Sequence, residues 1–482
     1  MPPDHVGETR RALLARVGTI ACGLPIYQLG GARAGPLLTV DAPPSADTLQ
    51  LQAALDRRGI VRLDRTYLID APLTISGDTQ LIGNRDARLV WRGPASQSIL
   101  RDSSVMDAAR VNRNITLSDF EIVGDNEQAG GSDQLAVEFY RTGNVIIRNI
   151  VAHDVGGSGI RWGNSYIDTS DILIQNCKIY NCRSGDALQG SGKRIKIINN
   201  VIGIYNNKQA NFGDTGIALL TDFNPRTNPE QGYSKDVEIV GNTIIGQEKS
   251  VNSGKFSKRK VTTGIAMGPF ANDHRSNITI SNNKIRECYV NLWIVVMRGV
   301  LVSKNDFGPH GSPLTASARF DGVSDLQILG NKIVLERAPG GKDYSAIMIN
   351  AQRNIFGSST FDADVDKFYI SNNIISSRRN CAGVILSFGQ NYANPNYISK
   401  IAHGTIAGNT FIGVERPIVF APIVSSNAGV CSAISIKNNI VDTAALSIVH
   451  IYGVSNQYSG MIFYGNRAPQ KVQIRRGTGV EM

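Results

Sequence analysis

Residues 278–285 read ITISNNKI. The apolar residues at every second position put one row of side chains on one side of a strand, two asparagines stop the run, and Lys284-Ile285 starts a new one. The phrase returns as IKIINNVI at 195–202, VEIVGNTI at 237–244, FYISNNII at 368–375 and ISIKNNIV at 434–441. Looser copies begin at Ile115, Val145, Ile172, Val300, Leu326, Ile401 and Met461. Irregular returns of roughly 22 to 42 residues are the length class of stacked solenoid coils that carry loops of variable size.

A second strand signal, often opened by glycine, lies between the asparagine phrases: GIRW at 159–162, GIALL at 216–220, GIAM at 264–267, NLWIVV at 291–296, ARFD at 318–321 and AIMIN at 346–350. Alternation points Ile160, Ile217, Ile265, Leu292 and Ile418 inward and their neighbours to solvent. Each coil therefore supplies one strand to this face and one or two to the others. The recurrent Asn200, Asn242, Asn283, Asn305, Asn331, Asn373, Asn409, Asn439 and Asn466 are expected to stack as a ladder in a sharp turn, each amide bonding the copies above and below. That role removes the commonest polar residues from the catalytic candidates.

A chain of 482 residues could hold three ordinary domains, but a solenoid grows by adding coils to one continuous core, so one domain is expected. With 42% apolar and 19% charged residues, the composition fits a folded chain rich in strands and turns and excludes disordered or collagen-like classes. The net charge of +10 favours anionic partners: acidic polysaccharide, nucleic acid or a membrane surface. Six cysteines show no metal-type spacing, and buried free thiols are expected for most of them, with a Cys177–Cys182 bridge as the alternative. Arg10-Arg11 ahead of a modest apolar stretch, with Ala32-Arg33-Ala34 as a small-residue cleavage site, resembles a twin-arginine export signal. The stretch is too short and too weakly apolar to hold a membrane span. A bacterial protein exported to the periplasm or beyond is expected.

Residues 46–57 carry apolar side chains at helical spacing, and a helix there would cover the open end of the first coil. The order Asp47-Thr48, Gln52, Ala54-Leu55-Asp56, Gly59, Val61, Leu63, Thr66-Tyr67, Ile69 and Leu81 to Gly83 resembles the entrance of the pectate lyase-like right-handed parallel β-helix superfamily, which includes lyases, glycoside hydrolases, epimerases and phage tailspikes. The resemblance covers about residues 46–467. It implies an all-β fold, a right-handed parallel β-helix solenoid with a short N-terminal capping helix, and a saccharide lying along the Gly-opened face. The expected segments are 1–34 for the signal, 35–92 for the cap and first coil, 93–470 for the β-helix and 471–482 for a C-terminal tail. A polysaccharide, more readily an acidic one than nucleic acid, becomes the expected partner, and a trimer like that of tailspikes is compatible with the fold.

Two constellations could carry chemistry. Asp186 with Asp214 and Asp222 could bring carboxylates one coil apart, within the range that glycoside hydrolysis uses, although Asp beside Gly ahead of a strand is also ordinary turn chemistry. Elimination on an acidic sugar needs a cation to neutralise the uronate carboxylate and a base for the proton alpha to it. Lys258 and Arg259 in the SKRK run, His274 in the DHR run and Arg161 offer both; His274 or a nearby Lys would be the base. Glu138, Arg161, Trp293 and Arg319 point outward on the Gly-opened face as substrate contacts, and small Ala218 and Ala266 would leave its floor low. His153 and Asp154 precede GIRW and could contribute or cap a turn. The Asp-Asp and Gly-His-Gly signatures of polygalacturonases, the Arg-x-Pro-x-x-Arg of pectate lyases and the Asp-Pro-His-Asp of alginate epimerases are absent, and no calcium or other metal site is assignable. Lyase, hydrolase and non-catalytic polysaccharide binder are the three readings, in that order.

Overall fold

Each copy of the asparagine phrase folds as a strand, a two-residue corner and a second strand. In ITISNNKI the strand Arg275–Ser281 is followed by Asn282 and Asn283 and then by Lys284–Arg286. The first corner residue takes a left-handed backbone, as at Asn199, Asn282, Asn372 and Asn438, where asparagine or glycine costs least. The computed structural model describes residues 45–468 and 474–476, except 95, 108, 126–133, 164–168, 183–184, 205–214, 221–233, 247–262, 269–274, 289, 310–315, 336–343, 352–353, 357–358, 362–363, 378–380, 389–398, 423–428, 443–446 and 453–456.

The coils stack in register through parallel pairing on three faces. On the first, Val237 pairs with Ile278 and Ile278 with Val300; on the second, Thr243 with Lys284; on the third, Ile217 with Ile265 and Ile265 with Leu292. Parallel crossovers of this kind close with a right hand, and the chain is a right-handed parallel β-helix. Ile160, Ile217, Ile265, Leu292 and Ile418 all lie in the buried core, each worth about 1.5–3 kcal/mol as a fully buried aliphatic side chain. Among the described residues, parallel pairing runs from the strand Gly59–Leu63 to Ile474–Arg476, so it extends past residues 93 and 470 in both directions.

The asparagine ladder runs unbroken from Asn200 to Asn466. Asn283 donates its backbone N–H and its Nδ2 to Oδ1 of Asn305 at 2.9 and 3.0 Å, and Asn305 does the same to Asn331. Each Nδ2 also donates to a strand carbonyl, Ile239 for Asn283 and Ile280 for Asn305. Cys177 occupies the ladder position one coil before Asn200 and still donates its N–H to Asn200 Oδ1 at 2.8 Å. Cys177, Cys182, Cys288, Cys381 and Cys431 are free and buried, and burial pushes the thiols of Cys177 and Cys288 up to about 12. Cys22 and the segment expected to be an export signal lie outside the described residues.

Helix α1, Ala46–Asp56, closes the N-terminal end. Leu51 and Leu55 enter the core, and three polar side chains pair with the edge of the first described coil. Asp47 Oδ2 accepts the Leu68 N–H, Thr48 Oγ1 accepts the Asp70 N–H, and Gln52 pairs with both the N–H and the carbonyl of Thr74. The Asp-Thr-x-x-x-Gln order thus satisfies an open sheet edge whose unpaired backbone would otherwise recruit another chain.

Candidate functional site

Sheet register aligns one outward row along the third face: Glu138, Arg161, Gln189, Ala218, Ala266, Trp293, Arg319 and Met348, each paired with the next. At about 4.8 Å per coil, the row from Glu138 to Trp293 is about 24 Å long. Inserted chain leaves the coils at the two corners bordering this face. Residues 205–214, 247–262 and 336–343 fall between second-face and third-face strands; residues 221–234, 269–274 and 389–398 fall between third-face and first-face strands. At the asparagine corner, by contrast, two residues join the strands in coil after coil.

Two polar knots sit on the row. Near its N-terminal end, buried Glu138 takes a 2.5 Å ion pair from Arg161 and a 2.5 Å hydrogen bond from Ser98 Oγ. Toward the other end, Asp321 is buried and accepts four hydrogen bonds, each at 2.9 Å. One comes from the Trp293 indole N–H, two from Arg319 Nε to both carboxylate oxygens, and one from Asn350 Nδ2. The Arg319 guanidinium carbon stands 5.8 Å from the centre of the Trp293 ring. Glu138, Arg161, Trp293 and Arg319, the substrate contacts expected from strand alternation, stand together on one face. Asp321 and Asn350 are not among the residues expected there, although the ARFD and AIMIN runs place each two positions from an outward residue, hence on the same side.

Val290–Ser303 and Ala316–Leu329 pass from the third face to the first as single strands, bending at Val296 and Gly322 with φ of 45° and 64°. The left-handed region suits Gly322; for β-branched Val296 it is strained. Val295 and Val296 form a small apolar cluster outside the main core, with Trp293 packed on it. Strain and buried charge therefore meet at the same two coils.

Other candidates fall elsewhere. Asp186 is half-buried and its carboxyl, at the enclosed end, accepts the N–H of Thr215 on the next coil at 3.0 Å; burial pushes its pKa up to about 7. That is the turn role weighed against the carboxylate cluster. Its intended partners Asp214 and Asp222, and the elimination candidates Lys258, Arg259 and His274, lie outside the described residues. Ala218 and Ala266 are on the outward row but buried, so the small floor carries no exposed surface here. His153 belongs to the second face, not the row. Its ring lies between Glu121 and Asp154 oxygens at 2.8 and 2.7 Å and stacks on Tyr180. Among the described residues no group of three His, Cys, Asp or Glu side chains could hold a metal ion.

No family model matches the sequence. No curated protein matches it either. Among solved structures, the A-module of the mannuronan C-5 epimerase AlgE6 from Azotobacter vinelandii superposes with a TM-score of 0.57 at 15% identity, over 83% of this chain and 96% of that one. The fold is the right-handed parallel β-helix. A tailspike protein of the E. coli bacteriophage HK620, solved with a hexasaccharide, aligns at 12% identity and a TM-score of 0.49, over 86% of this chain and 74% of that one.

Proposed function

We propose that this protein binds an acidic polysaccharide lengthwise along the third face and cleaves it by elimination. The observation that carries the reading is the coincidence of the outward row with the two corners that hold the insertions. Arg161 and Arg319 stand on that row with Trp293, and the excess positive charge of the chain favours an anionic polymer. In this reading Arg161, Lys258 and Arg259 neutralise uronate carboxylates, and His274 or Lys258 removes the proton alpha to one of them. A fold neighbour named for C-5 epimerisation of mannuronan supports a polyuronate in particular. Elimination and C-5 epimerisation both begin by removing the proton beside the carboxylate. They differ in whether the glycosidic bond then breaks.

Hydrolysis is the weaker alternative, because Asp186 is engaged by Thr215 and does not stand on the row. Incubating the full chain with acidic and neutral polysaccharides separates the readings. Elimination gives a product absorbing in the ultraviolet, hydrolysis gives reducing ends without that absorbance, and epimerisation changes the polymer's proton spectrum with neither. Binding without any of the three changes would leave a non-catalytic polysaccharide binder and end the enzymatic proposal.

A further inference from the structure

Resting on that reading, we infer that Arg319, Trp293 and Asn350 form a preassembled subsite for the carboxylate of one uronate residue, with Asp321 as the positioning residue that holds all three. Arg319 spends only Nε on Asp321. Neither of its terminal nitrogens has a hydrogen-bond partner among the described residues, and its side chain is 15% exposed. A guanidinium fixed through Nε presents its remaining N–H groups as a flat fork, the shape that takes a carboxylate by two parallel hydrogen bonds.

Asn350 is 2% exposed. Its Nδ2 is tied to Asp321, and its Oδ1 is buried without a partner. An orphaned buried acceptor is a cost that native structures seldom carry without a reason, and a donor from a sugar hydroxyl would relieve it. Trp293 is anchored by its N–H, which fixes the ring rather than leaving it to rotate. Strain at Val296, whose side chain lies in the cluster under Trp293, fits a site built for geometry at some expense of stability. A purely structural ion pair would satisfy the arginine head and the amide oxygen from within the protein. Here neither has a hydrogen-bond partner among the described residues, and the two lie on the same cluster.

The chain's own fluorescence offers the test. Of its three tryptophans, Trp91 and Trp162 are buried in the core and Trp293 is half-buried on the row. An oligogalacturonide titrated into the full protein is expected to change the Trp293 emission, and its methyl-esterified, uncharged counterpart to bind about tenfold to a hundredfold more weakly. Arg319→Ala should lose a similar factor for the acidic probe only. Arg319→Lys, which keeps charge without the fork, should recover part of it, and Asp321→Asn should weaken binding while far-ultraviolet circular dichroism stays unchanged. Equal binding of the two probes, or an Arg319→Ala protein that binds the acidic probe like the parent, would overturn the assignment, whatever cleavage assays show. If no polymer is bound or cleaved but free galacturonate still changes Trp293 emission in an Arg319-dependent way, the subsite stands and the polysaccharide reading falls.

Discussion

The two ends of a first-face strand obey different rules. At the asparagine corner, from Asn200 to Asn466, the chain turns in two residues, and the second of them feeds a ladder whose members satisfy one another. At the opposite corner, shared with the third face, the crossing ranges from a bare bend at Val296 and Gly322 to the insertion of residues 221–234. The contrast separates polar residues that recur, whose partners are copies of themselves, from polar residues that occur once, whose partners must be found. Asn305 exemplifies the first kind and Asp321 the second. Both are buried, and both accept hydrogen bonds from neighbouring coils.

Breaking the regular corner should cost most. Asn305→Ala would orphan the N–H and Nδ2 of Asn283 and remove a donor from the Ile280 carbonyl, a loss of about 3–6 kcal/mol. The midpoint of urea unfolding should fall accordingly. A variant as stable as the parent would show that the ladder is not what holds this corner. On the irregular side, Asp321→Ala leaves the Arg319 charge, the Trp293 N–H and the Asn350 amide without their acceptor, for about 3–5 kcal/mol. If the same measurement gave less than 1 kcal/mol, the cluster would be too loose to position a ligand.

Asp186 probes the corner between the second and third faces through pH. Its pKa is raised from the ordinary 3.8 to about 7 by burial, so the native state holds a proton that the unfolded chain releases above pH 4. This contribution to stability is complete below about pH 4, declines as pH rises toward 7 and is gone above it. Asp186→Asn keeps an oxygen acceptor for Thr215 and cannot ionise, so its advantage over the parent should grow from near zero at pH 4 to on the order of 2–4 kcal/mol at pH 8. Melting temperatures of the two proteins across that range would reveal it. Parallel curves would mean that the carboxyl is ionised in the fold and available for chemistry after all.

The readable part of this molecule is the repeated part. Alternation around Ile265 and Leu292, and the fixed place of Asn after it, express one local geometry many times over, so the errors of any single copy average out. The cap was readable for a related reason: Asp47, Thr48 and Gln52 answer four backbone groups on three edge residues, and that need fixes their spacing. Alternation also placed Glu138, Arg161, Trp293 and Arg319 outward. It could not say that Ser98 would reach Glu138, or that Asn350 would share an acceptor with Trp293, because those contacts join positions about 30 to 60 residues apart along the chain. Burial of Ala218 and Ala266 was likewise invisible, since a period-two pattern gives direction without saying what lies beyond.

The smallest expected change lies at the bend itself. Val296 holds a backbone conformation that the next coil assigns to Gly322, and a β-branched residue there costs about 1–3 kcal/mol in strain. Val296→Gly would release that strain but give up a buried side chain from the cluster under Trp293 and add backbone freedom to the unfolded chain, so the net shift in stability should stay within about 1 kcal/mol. A near-silent effect on unfolding, paired with broadened or shifted Trp293 emission, is the outcome that ties the strain to the shape of the site. A gain well above 1 kcal/mol with unaltered emission would mean that the valine is merely a poor residue for its corner, and the difference between the two corners would then be one of loop length alone.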